Sequence, residues 1–117
     1  MQPLIILVAP TAAIPPTAEE LTEHGYRIVG CDSIQQALDT IDQIKPDLIY
    51  IIDHFIEGFR DPLEIYFYTR QILKQPIPII LIGFRHIPEH LTHLDLACFD
   101  LMQIEAALNL VYALLPI

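Results

Sequence analysis

Three histidines and a glutamate crowd one short stretch of the chain, His86, Glu89, His90 and His93, and pose its first chemical question. On one continuous helix these spacings would align the imidazoles on a single face, where they could hold a zinc ion. Pro88, however, belongs in a first helical turn and leaves His86 outside it. No cysteine or ordered outer ring of polar partners accompanies the group, so it reads as a solvated helix face, and no metal is expected. Asp53 and His54 resemble an acid–base pair, but adjacent side chains on a strand diverge. Ser33, Thr11 and Thr17 lack the flanking glycines of a nucleophile elbow. Gly25, Gly30, Gly58 and Gly83 are too dispersed to cradle a phosphate. Pro10, Pro15 and Pro16 remove backbone donors where a mononucleotide phosphate would otherwise find them. These residues predict neither an enzyme nor a cofactor.

Charge narrows the partners further. Fifteen acidic residues against six basic ones give a formal charge of −9, and phosphate backbones are bound by basic patches. Arg27, Arg60, Arg70, Arg85, Lys45 and Lys74 are scattered, which excludes nucleic acid as the expected partner. Cys31 and Cys98 have no C-x-x-C spacing and read as small buried hydrophobes. The apolar start MQPLIILVAP lacks a basic leader, meets Pro10 early and is too short to span a bilayer. A cytoplasmic domain that does not enter a membrane is the expectation.

The elements that must position these residues alternate along the chain. Leu4–Val8, Arg27–Cys31, Leu48–Ile52, 77–82 and 97–102 read as strands, several of them uniformly apolar as in strands buried on both faces. A loop with Pro15 and Pro16 is expected after the first, followed by a helix opened by a Thr17/Glu20 capping box and closed by Gly25. Ile34, Ala37, Leu38 and Ile41 mark an amphipathic helix over 33–44. Asp61-Pro62 with Glu64 starts another, running to Lys74. A short helix over 88–94 and a last one over 104–115 complete a βαβαβαβαβα order. That alternation predicts one α/β domain over 1–117, a parallel five-stranded sheet with helices on both faces.

Gly25-Tyr26-Arg27-Ile28-Val29, then Ala37-Leu38, then Lys45-Pro46-Asp47-Leu48-Ile49 and Pro78-Ile79-Ile80-Leu81-Ile82 stand at the spacing of the corresponding response-regulator receiver motifs. Over nearly its whole length the chain resembles that CheY-like family. The resemblance implies a flavodoxin-like doubly wound sheet of order 2-1-3-4-5. It also implies a site at the carboxyl ends of the strands: an acidic pair for Mg²⁺, an acceptor aspartate, a hydroxyl and a lysine.

This chain departs from that pattern at each position. Ala9 and Pro10 stand where the acidic pair belongs, and Gly83 replaces the hydroxyl. The lysine position falls near Met102, and Lys45 and Lys74 both precede the fourth strand. The acceptor position falls on Ile52, with Asp53 one residue later; a one-residue offset turns a strand side chain to the other face. No Mg²⁺ is therefore expected. The reading is a pseudo-receiver, a signalling module that binds a protein partner or a second copy of itself. Two alternatives stay open: a working receiver that uses Asp53, and a small-molecule sensor binding above Ala9, Ile52 and Gly83.

Two surfaces are candidates for the partner. In the last helix, Ile104, Ala107, Leu108, Val111 and Leu115 suit the sheet, which leaves Leu110, Tyr112, Leu114 and Ile117 for a dimer interface. Ile65, Tyr66, Phe67, Tyr68 and Ile72 form a rival patch. Phe55, Ile56 and Phe59 fit either a core cap or a docking surface.

Overall fold

The computed structural model describes residues 2–52, 63–83 and 97–117. Asp53, His54, the apolar loop of Phe55, Ile56 and Phe59, the Asp61-Pro62 helix start and the histidine segment lie outside those residues. Strands β1 (Leu4–Val8), β2 (Arg27–Cys31), β3 (Leu48–Ile52), β4 (Ile79–Ile82) and β5 (Ala97–Phe99) form one parallel sheet. Its order is β2-β1-β3-β4-β5. Every residue of β1, β3 and β4 is buried, because each of these strands has a neighbour on both edges and helices over both faces. β2, at one edge, leaves Arg27 and Gly30 exposed.

Alternation along the strands sorts the core into two layers. Ile5, Leu7, Tyr50, Ile80 and Ile82 face α1 (Ile14–Glu23) and α4 (Ile104–Leu114), where Leu21, Ala107 and Val111 meet them. Ile6, Val8, Ile49, Ile51 and Leu81 face α2 (Ile34–Gln43) and α3 (Leu63–Phe67), where Ile34, Ala37, Ile41 and Ile65 pack. The helices thus cover both faces, as the alternating order predicts.

Several boundaries differ from expectation, each for a local reason. α1 begins at Ile14, after a 3-10 turn at Thr11–Ala13, and carries the prolines in its first turn. That turn needs no N–H from proline and matches its fixed φ, so Pro15 and Pro16 lie inside the helix, and Thr17 does not cap it. At the other end Gly25 adopts φ 99°, as a helix-stopping glycine should. β4 starts two residues later than the run 77–82, since Pro78 has no N–H to pair, although its carbonyl accepts from Ile49 N at 2.9 Å. α3 passes into a π-helical turn, Tyr68–Ile72, and the chain leaves it with Lys74 at φ 53°.

β5 stops at Phe99 because Asp100 starts a new cap. Its Oδ1 accepts from Met102 N at 2.8 Å, while Gln103 Oε1 accepts from Asp100 N at 3.1 Å. This reciprocal pair opens the 3-10 turn Leu101–Gln103, which leads into α4. Among the described residues no helix is long and apolar enough to cross a membrane.

Candidate functional site

Parallel register places the predicted site residues at one end of the sheet. Val8 lies opposite Ile51, and Ile52 opposite Ile82. One step further, Ala9 comes level with Ile52, and Gly83 follows β4. Ala9 is fully buried, and its N–H donates to Cys31 O at 3.0 Å. Gly83, at φ 124°, donates to Phe99 O at 2.9 Å. Ile52 is 8% exposed. Pro10 is half-buried, and its carbonyl accepts from Ala13 N at 2.8 Å. Met102 stands apart from this group, 93% exposed after β5. Among the described residues the site's centre is therefore built from side chains without charge or hydroxyl.

Two carboxylates are described beyond the strand ends, and both are engaged. Asp32, after β2, accepts from Thr11 Oγ1 at 3.5 Å, and Asp100 forms the cap described above. They follow the two edge strands, four strand spacings or about 19 Å apart, so they cannot share one cation. Mg²⁺ takes near-octahedral oxygen ligands, and Ala9, Ile52 and Gly83 offer no side-chain oxygen. The described residues at this end do not fit that ion. Among the described residues no group of three metal-ligating side chains comes together anywhere. Both cysteines are free, on opposite edge strands, and burial pushes each thiol up, away from reactivity.

The last helix divides differently from its sequence stripe. Ala107 and Val111 are fully buried, and Leu108 and Leu115 pack beside them. Ile104, expected in the stripe, is 43% exposed at the helix start. Leu110 and Tyr112, expected at an interface, are half-buried against the core. Only Leu114 and Ile117 of that set are exposed. Tyr112 stacks on Tyr26 and His24 with ring centroids 6.2 and 4.4 Å away. Burial raises the Tyr112 phenol, with a smaller push from Glu20. α4 turns Glu105, Ala106, Asn109 and Ala113 to solvent, a face of mostly small side chains. In the rival patch Ile65 is buried, while Phe67 and Ile72 are exposed.

No protein-family model matches the sequence, and no curated protein does. Solved structures do. Response regulator TrrA from Thermotoga maritima, in complex with Mg²⁺-BeF, superposes with TM-score 0.79 at 23% identity, over 98% of this chain and 100% of that one. Chemotaxis protein CheY4 from Vibrio cholerae gives 0.79 at 12% identity, over 98% and 99%. A putative response regulator from Chloroflexus aurantiacus gives 0.76 at 15% identity, over 98% of both chains. The chain has the receiver fold.

Ala9 and Pro10 follow β1, Gly83 follows β4, and Met102 and Gln103 follow β5. Lys45 and Lys74 precede β3 and β4, at the other end of the sheet from those positions. Two tyrosines carry structural weight that the sequence reading did not assign, Tyr26 having entered it only as a motif residue and Tyr50 not at all. Tyr26 is 3% exposed and donates from its hydroxyl to Leu115 O at 2.6 Å. Tyr50 is fully buried, and its hydroxyl has no hydrogen-bond partner among the described residues. The signal for Tyr50 was present, as the one polar atom-bearing side chain in the run LIYII.

Proposed function

We propose that this chain is a cytoplasmic, receiver-like signalling module that acts by binding a protein partner and accepts no phosphoryl group. The observation that carries this reading is the row Ala9, Ile52 and Gly83, buried or backbone-bonded where receiver chemistry needs oxygen ligands. A phosphoryl group brought there would find neither a metal carboxylate nor a lysine among the described residues. Incubation with a small phosphodonor and Mg²⁺ should leave the intact mass unchanged. A Mg²⁺-dependent gain of one phosphoryl group, lost in Asp53→Asn, would overturn the proposal in favour of a working receiver.

The surface that suits the partner is α4, and a second copy of the chain is the partner proposed. Exposed apolar groups stand at both ends of the helix, Met102 and Ile104 before and at its start, Leu114 and Ile117 at and after its end. The small Ala106, Asn109 and Ala113 between them let another helix approach closely. Light scattering at rising concentration should report a dimer. Leu114→Glu should return it to a monomer with an unchanged circular dichroism spectrum, since Leu114 is 44% exposed. A wild-type monomer at high concentration would sink the dimer.

A further inference from the structure

The receiver-type positions gather at the carboxyl ends of the strands, but a cavity lies at the opposite end. A groove of about 470 Å³ opens where β1, β2 and β3 begin and α4 ends. Its volume falls in the range of small-molecule sites. Leu4, Leu114 and Pro116 contribute apolar surface, and Arg27, Lys45 and Asp47 bring charge. Two of the six cations of a strongly acidic chain thus share one groove. Among the described residues no carboxylate pairs with either of them.

We propose that this groove binds a small organic monoanion, with one carboxylate held by Arg27 and Lys45 and an apolar body lying on Leu4, Leu114 and Pro116. The charge balance selects the ligand class. Asp47 commits Oδ2 to the Leu4 N–H at 2.8 Å, and its charge offsets one of the two cations. The carbonyl end of α4 adds a further partial negative charge. What remains is a net charge of about one or less, enough for a carboxylate but poorly matched to a phosphate dianion. The arginine fork supplies two parallel donors to a carboxylate, and the lysine a point charge. The apolar floor favours a ligand with a hydrocarbon body over a bare ion.

The groove and the apolar row at Ala9 occupy opposite ends of the sheet, so the groove and the loss of phosphoryl transfer can fail separately, while Leu114 is shared with the proposed dimer face. The test is an amide NMR titration of the full chain with octanoate, and separately with octanol and with inorganic phosphate. Octanoate should produce saturable shifts confined to Leu4, Arg27, Lys45, Asp47 and the 114–117 tail. Octanol, lacking the charge, and phosphate, lacking the body, should each bind at least about tenfold more weakly. Arg27→Gln and Lys45→Gln, both at exposed positions, should each weaken octanoate by about tenfold while the remaining amides keep their dispersion. Amides of Ala106 and Asn109 report self-association separately from the ligand. Non-saturating or scattered shifts, equal binding of octanol or phosphate, or indifference to both substitutions would each overturn the proposal.

Discussion

Tyr26→Ala is expected to lower the stability of the chain by about 3–5 kcal/mol, read as a large fall in the urea midpoint. The ring lies in the core layer beneath α1 and α4, packed with Leu21 and Val111 and stacked on Tyr112. Its hydroxyl closes a second connection, donating 2.6 Å to Leu115 O just past the end of α4. That carbonyl belongs to the set that a helix end leaves without an internal partner. Truncation therefore opens a cavity and strips the last helix of its tie to the α1–β2 corner. Tyr26→Phe keeps the ring and should cost about 1 kcal/mol, the loss of one partly buried hydrogen bond. An alanine variant as stable as wild type would mean that the tie and the packing carry nothing.

Tyr50→Phe is expected to act in the opposite direction, stabilising the chain by about 1–3 kcal/mol. The phenylalanine fills nearly the same volume and removes a hydroxyl that is buried with no partner among the described residues, a desolvation cost with no return. pH provides an independent reading. Burial pushes the Tyr50 phenol far above its ordinary value near 10, with a smaller contribution from Tyr112. Below pH 10 the folded and unfolded chains both keep the proton, and the full stability is present. Above it the unfolded chain releases a proton that the folded chain retains, so stability falls by up to about 1.4 kcal/mol per pH unit. Phenylalanine removes that loss, and the advantage of Tyr50→Phe should widen by about 1 kcal/mol between pH 10 and 11. Tyr26, Tyr68 and Tyr112 titrate in both proteins and cancel in the comparison. A destabilised variant would show that the hydroxyl is satisfied after all.

The sheet was legible because its strands announce themselves. β1 and β3 are short, uniformly apolar runs, and only strands covered on both faces read that way at this length. Helix starts were legible where apolar spacing marks the first turn. The stripe of Ile34, Ala37, Leu38 and Ile41 placed α2, and Ser33 caps it, its Oγ accepting from Gln36 N at 3.1 Å. They were misread where the backbone alone decides: Pro15 and Pro16 signal a loop and an allowed first turn equally well. Asp100 and Gln103 carried a capping pattern that an apolar reading of 97–102 passed over. In the candidate site the places of Ala9 after β1 and Gly83 after β4 could be read from sequence, since they need only a register. The surface of α4 could not. Helical periodicity gives the phase of a stripe, but Ile104 is exposed because it sits at the helix start, and Tyr112 is partly covered because it stacks on Tyr26 and His24.

The position of β1 between β2 and β3 also sets an order of events as the chain is made. β1 emerges first, yet both of its partners come later, each across a helix. Parallel strands cannot pair through a tight hairpin, so β1 waits. Once β2 has docked, the other edge of Leu4–Val8 stays bare until β3 leaves the ribosome. A flat, uncharged, wholly apolar edge is a template for a strand from any neighbouring chain. The arrangement that gives the finished domain a fully buried strand also leaves the nascent one an adhesive edge, and β3 is the element whose arrival ends that exposure.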